Sequence, residues 1–217
     1  MTEIIPSILT NDISDFRKKY AELFGLRQHF SKLHVDFADG EFVPNKTLMP
    51  NELVFLNNST LFLIAHFMSL DPKKYFQAAK KAGFKEVLFH FEALPDPKEI
   101  DETIDAANNL WLKPGIALNP ETPLYKLGKF IHKVQHIQIM SIHPGAQGRD
   151  FMPETLEKIR ELRSLSKNVI ISVDGGIKVG IAKQCALAGA DRLVAGSTIL
   201  RSENEEHAIE ALIEDVK

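Results

Sequence analysis

The sequence predicts a single-domain TIM-type (β/α)8 barrel, and three observations carry the prediction. Short apolar segments alternate eight times with segments of helical periodicity. The short segments are apolar on both faces, as parallel strands are when helices cover one side and a filled interior the other. No Ser/Gly-rich linker or shift of composition divides residues 1–217, and one closed barrel accounts for that length. An open doubly wound sheet is the alternative arrangement of the same units.

Each unit has its own signature. "EIIPSIL" is short and β-branched, and "DISDFRKKYAELF" opens with Asp12 as N-cap and continues with helical spacing. "KLHVDFA" is the second strand, followed by a long loop, "DGEFVPNKTLMP", and a short helix near "NELVFLN". "LFLIAHFM" precedes "DPKKYFQAAKKAG", with Pro72 in the first helical turn and Gly83 at the end. "EVLFHFEA" precedes "PDPKEIDETIDAANNL", and "KPGIALN" precedes "PLYKLGKFIHKV". "HIQIMSI" runs through the glycine loop "HPGAQGRD" into "MPETLEKIRELRSL". "NVIISVDGG" is followed by "KVGIAKQCALAGA", and "RLVAGSTIL" by "ENEEHAIEALIEDVK".

Composition excludes several classes of function. With 44% apolar and 25% charged residues, the chain can bury a sizeable core without disulfides, and its one cysteine, Cys185, suits a reducing compartment. Cys185 lies mid-helix among Ala and Leu, where it packs as a small hydrophobe. A net charge of −3 with interspersed signs offers no basic footprint for nucleic acid or an anionic membrane. The start "MTEIIPSIL" has no positive leader before its apolar run, and runs such as "LFLIA" are too short to span a bilayer, so a cytoplasmic location is expected.

The polar residues within the strands are the informative ones. Leu33, Val35 and Phe37 alternate with His34 and Asp36, so the imidazole and the carboxylate share one strand face. Burying both is unfavourable unless something pairs with them. In a barrel the functional groups sit at the C-terminal strand ends. His34 and Asp36 lie late in the second strand, His66 late in the third, His90 and Glu92 late in the fourth, and Asp174 ends the seventh. Two imidazoles and two carboxylates converging on one mouth (His34, Asp36, His66, Asp174) suit one divalent ion, with Zn, Fe, Mn and Co all compatible. His66 alone would read as a satisfied interior histidine, and Asp174 alone as a turn cap before Gly-Gly. Neither reading puts both on one rim. His90 and Glu92 fit outer partners of the ligands as well as simple barrel filling. Gly175, Gly176 and Gly196 follow the last two strands, where barrels of this kind hold phosphate on backbone N–H groups. The loop containing Gly145 and Gly148 fits a mobile cover or an ordinary surface loop. Trp111, His29, His132, His136 and His207 carry no discriminating signal.

Taken together, "PSIL", "HVDFADGEFVPN", "AHFM", "GIALNPETP", "IMSIHPGAQG", "VDGGIK" and "VAGS" resemble the ribulose-phosphate 3-epimerase family, in order from about residue 4 to residue 200. The resemblance implies a ribulose-phosphate-binding barrel and an isomerase of carbohydrate metabolism in the pentose phosphate pathway. It implies that His34, Asp36, His66 and Asp174 are metal ligands, and that Asp36 and Asp174 are also the two acid–base carboxylates. It implies sugar-phosphate contacts from Ser7, His66, Gly145, Ala146, Gln147 and Gly148, a phosphate cradle at Gly175, Gly176, Gly196 and Ser197, and Met68 and Met140 beside the reacting carbons. The expected partners are a small ketose phosphate and further copies of the chain in a homo-oligomer. The sequence departs from the family pattern at Ala38 and at Ala146, Gln147, Gly148 and Arg149, which bears on sugar preference. An epimerase of the same mechanism on another ketose phosphate, such as allulose 6-phosphate, is thus the nearest alternative. A sugar-phosphate binder without turnover is a second, against which the intact quartet speaks. The lack of a strand-end lysine disfavours a Schiff-base aldolase.

Overall fold

The structure is a computed structural model that describes residues 2–145 and 148–217. Eight parallel strands close into a barrel in chain order: β1 Glu3–Ile8, β2 Lys32–Ala38, β3 Phe62–Met68, β4 Glu86–His90, β5 Lys113–Leu118, β6 His136–Met140, β7 Ile170–Asp174 and β8 Arg192–Ala195. β8 pairs with β1, with Ile5 opposite Val194. Closure removes every strand edge, so no backbone row is left to template another chain.

Helices α1 Ile13–Gly25, α2 Lys73–Lys81, α3 Pro97–Asn109, α4 Thr155–Leu165 and α5 Ile181–Ala188 lie in the connections, and α6 Ser197–Leu200 and α7 Glu205–Asp215 follow β8. Asp12 caps α1 as expected, accepting from the backbone N–H groups of Ser14 and Asp15. Three segments depart from the sequence expectation. "EVLFHFEA" is a strand only to His90, and Glu92 lies in the 3-10 turn Phe91–Ala93 beyond it. "PLYKLGKFIHKV" forms 3-10 turns over Leu124–His132, broken where Gly128 adopts φ 46°, so no α-helix follows β5. "RLVAGSTIL" is a strand only to Ala195; Gly196 ends it and "STIL" winds into α6, because the chain must leave the sheet at the rim.

Strand alternation sorts two apolar layers. Leu33, Val35, Phe37, Val87, Phe89, Ile137, Ile139, Ile171 and Val173 pack outward into the main core beneath the helices. Inside the barrel the apolar filling is small: Ile5, Ile64 and Leu88 form a cluster of their own. The interior also carries many buried polar side chains, and these divide into a mouth and a floor. Cys185 is buried in the outer layer, and burial pushes its thiol up to about 12, so it packs rather than reacts. Among the described residues no helix is long and apolar enough to cross a membrane.

Candidate active site

At the C-terminal rim the parallel register aligns the strand ends. Asp36 lies opposite His66 across β2 and β3, Ser7 opposite His34 across β1 and β2, and Met140 opposite Asp174 across β6 and β7. His34, Asp36, His66 and Asp174 each offer one ligand atom, and these atoms lie within 4.8 Å of one another, so the quartet could hold a metal ion. His66 Nδ1 is 2.8 Å from Asp36 Oδ1 and 3.7 Å from Asp174 Oδ2. His34 Nδ1 is 3.6 Å from Asp36 Oδ1, and its Nε2 is 3.9 Å from Asp174 Oδ2.

The local chain explains why these groups stay there. Thr47 Oγ1 donates to the Asp36 carbonyl at 3.1 Å and accepts from the Ala38 N–H at 2.9 Å, pinning the end of β2 to the loop that follows. Ser141 Oγ donates to the Gly175 carbonyl at 2.6 Å and so fixes the turn after Asp174. That turn needs glycine: Gly175 and Gly176 have φ of 116° and 63°. A Cβ on Gly176 would lie 2.6 Å from the Phe151 backbone nitrogen.

The electrostatics are those of an unsatisfied site. Burial raises the Asp36 carboxyl above its usual range. Burial, with the Asp36 charge added, raises Asp174 well above it. Burial also holds the His34 imidazole down at about 4 and pushes His66 well below its ordinary value, so both rings are neutral lone-pair donors near neutral pH. Both nitrogens of His34 are buried without a hydrogen-bond partner. Orphaned imidazole nitrogens beside two carboxylates that resist ionisation fit a divalent cation, which would satisfy all four at once.

His90 and Glu92 acquire a definite position. His66 Nε2 lies 2.9 Å from His90 Nε2, so the outer nitrogen of His66 is engaged and Nδ1 faces the quartet. Glu92 accepts from the Asn119 N–H at 2.8 Å and stands 3.4 Å from His90 Nδ1.

A cavity at the mouth is lined by Ser7, Asp36, His66, Met68, Met140, Gly145, Gly148, Asp174, Gly175, Gly176, Gly196 and Ser197, with Thr198 and Ile142 beside them. His34 does not line it; the ring is fully buried just below. Ala146 and Gln147 lie outside the described residues. Asn45 Nδ2 donates to the Gly145 carbonyl, joining the loop after β2 to the loop after β6 over the mouth. Sequence reasoning missed one group of interior residues: His136 lies buried in the barrel and contacts Glu86 and Ser172. The alternation in "HIQIM" was the available signal.

Fold and site together define a (β/α)8 barrel whose mouth carries two imidazoles and two carboxylates. Residues 3–200 match the model of the ribulose-phosphate 3 epimerase family, and the chain belongs to that family of isomerases. A ribulose-phosphate 3-epimerase of Schizosaccharomyces pombe is 32% identical over 214 residues, covering 97% of this chain and 92% of that protein. One from Chlamydia muridarum is 38% identical over 179 residues, 79% of this chain and 77% of that protein. A cytoplasmic isoform from Oryza sativa is 32% identical across 99% of this chain and 94% of its own length. Solved barrels share the fold at low identity: 3-hexulose-6-phosphate synthase of Salmonella typhimurium superposes with a TM-score of 0.73 at 13% identity, covering 99% of this chain and 98% of that one.

Proposed function

We propose that this chain is a divalent-metal-dependent epimerase that interconverts D-ribulose 5-phosphate and D-xylulose 5-phosphate, with residues 1–217 acting as one catalytic domain. The observation that carries the reading is the quartet at the mouth: four donor atoms within 4.8 Å of one another, including a fully buried histidine with no partner.

Inverting one carbon beside a ketone requires that a proton leave from one face and return from the other. Asp36 and Asp174 divide that work, one removing the C3 proton while the other, protonated, delivers from the opposite side. Their raised affinity for protons suits both halves of the exchange. His34, Asp36, His66 and Asp174 would hold the ion. Zn, Fe, Mn or Co bound there supplies Lewis-acid stabilisation for the charge that develops on the enediolate oxygens. Backbone N–H groups around Gly175, Gly176, Gly196 and Ser197 hold the phosphate, whose binding energy fixes the sugar far from the reacting carbon. Ser7 and His66 touch the sugar, and Met68 and Met140 give the reacting carbons a dry wall. Gly145 and Gly148 border the substrate; the contacts expected of Ala146 and Gln147 fall outside the described residues. The reading is supported by the names of the relatives and by one cavity that Asp36, His66, Asp174, Met68, Met140 and Ser197 line together. The cytoplasm is the proposed compartment, in line with the rice relative, and a homo-oligomer the proposed assembly.

The experiment is incubation with ribulose 5-phosphate in deuterated water. Deuterium at C3 of both pentuloses, with xylulose 5-phosphate formed, is the expected result. Label at another carbon, or no xylulose 5-phosphate, removes the proposal. A panel of ketose phosphates including allulose 6-phosphate then ranks substrates by kcat/KM, with the pentulose expected highest.

A further inference from the structure

The proton-transfer reading uses only the mouth, yet a chain of buried polar side chains runs from Asp174 down to the floor. Alternation turns His136 and Gln138 of β6, Ser172 of β7, Glu86 of β4 and Arg192 of β8 into the interior, and all are buried. Gln138 Nε2 donates to Asp174 Oδ2 at 3.2 Å. Ser172 Oγ donates to Gln138 Oε1 at 3.1 Å. His136 Nε2 lies 2.7 Å from Ser172 Oγ, and His136 Nδ1 contacts Glu86 Oε1. Arg192 Nη1 donates to Glu86 Oε1 at 3.1 Å.

Hydrogen-bond polarity orders this chain from both ends. Gln138 presents its NH2 to Asp174 Oδ2, which commits its carbonyl to the Ser172 hydroxyl. Ser172, its proton spent, accepts from His136 Nε2–H. At the far end Glu86 is again an acceptor, between His136 and Arg192. Flipping the Gln138 amide would press its carbonyl against Asp174 and break two bonds together.

We propose that Gln138 is a positioning residue for Asp174, its amide locked by Ser172 and His136, so that the barrel floor sets the orientation of a carboxylate acting at the mouth. The terminal torsion of an aspartate is soft. A catalytic carboxylate nonetheless has to be held to about 0.5 Å and 10–20°. Asp174 Oδ2, the oxygen that Gln138 grips, is the one nearest His34 Nε2 and His66 Nδ1, at 3.9 and 3.7 Å. The hydrogen bond therefore pins the oxygen that faces the ligand quartet. This inference rests on the role given to Asp174 above.

Gln138→Met removes both amide hydrogen bonds at nearly constant volume, and Ser172→Ala frees the amide to turn. Three quantities are measured on each: kcat and KM for ribulose 5-phosphate, Mn²⁺ affinity of the metal-free protein by calorimetry, and Tm. Gln138→Met is expected to lower kcat about 10–100-fold and to weaken Mn²⁺ binding comparably, with KM within about twofold. Ser172→Ala is expected to lower kcat about threefold on its own and to add nothing in the Gln138→Met background. A folded Gln138→Met variant with kcat and Mn²⁺ affinity within about twofold of wild type overturns the inference, whatever its Tm. Fully additive effects of the two substitutions overturn it as well. Should Gln138→Met fail to fold, Ser172→Ala decides alone, and unchanged kcat and Mn²⁺ affinity there reject the proposal. An inactive wild-type protein is a failure of the epimerase reading, and the Mn²⁺ comparison still tests the hold on Asp174.

Discussion

The mouth and the floor of this barrel bury the same residue types, carboxylates and imidazoles, in opposite electrostatic condition. On the floor, burial works against Glu86, but His136 and Arg192 beside it outweigh that and hold its carboxyl below the usual range. Its charge is closed within the protein. At the mouth, Asp36 and Asp174 are raised by burial, and His34 keeps both nitrogens unpartnered. Unpaired buried charge is expensive. A closed set of charges braces a scaffold, whereas an open set marks where something from outside is meant to bind.

The largest expected effect breaks the open set. Asp174→Asn should lower kcat by about 10³-fold or more, since one of two proton-transfer groups is lost. A folded variant retaining activity within about tenfold of wild type would contradict the two-carboxylate scheme. The same change should not destabilise the metal-free protein. A carboxyl whose folded-state pKa is raised contributes stability that is present below its unfolded value and lost as pH rises through the folded one. The Asn variant should therefore match wild type near pH 4 and exceed it in Tm near pH 8. A lower Tm at both pH values would mean that the mouth is closed like the floor.

Metal removal is next. Dialysis against a chelator should abolish turnover, and Zn, Mn, Co or Fe should restore it. Full activity in a sample shown to be metal-free would break the comparison, because the quartet would then need no ion.

The floor should respond in stability. Glu86→Ala strands His136 and Arg192 without their carboxylate, and breaking a buried pair costs about 3–5 kcal/mol. For a chain of this size that is a fall in Tm of roughly 10 °C, read by calorimetry. An unchanged Tm would show that the ion pairs contribute nothing.

The smallest effect sharpens the picture. Protons compete with a cation for Asp36 and Asp174, so the rise in Tm produced by Mn²⁺ should grow from pH 5 to pH 8 and then level off. His34, held at about 4, stays neutral across that range and does not reverse the trend. A Mn²⁺ increment that shrinks with rising pH would contradict the raised carboxylates.

How much of this was readable in the chain depends on distance along it. The barrel and its rim followed from local rules: alternation in "KLHVDFA" put His34 and Asp36 on one face, and the strand-end rule brought His66 and Asp174 to the same rim. The floor obeys the same alternation in "HIQIM", but its meaning lies in partners 50 and 56 residues away, Glu86 and Arg192, and inter-strand register is not written locally. His136 therefore looked uninformative. The break at Gly128 and the early end of β8 were missed for a related reason: apolar periodicity marks a helix or strand but not where packing interrupts it. The meeting of Asn45 with Gly145, 100 residues apart, belongs to the same class.

The most direct test of an open, ion-binding mouth is anomalous X-ray diffraction from crystals of the protein loaded with Mn²⁺, recorded at wavelengths flanking the manganese edge. One peak is predicted, within coordination distance of His34, Asp36, His66 and Asp174 together, and none on the floor beside Glu86 and His136. No peak at the mouth, or a peak held by only one of those four side chains, would contradict the account.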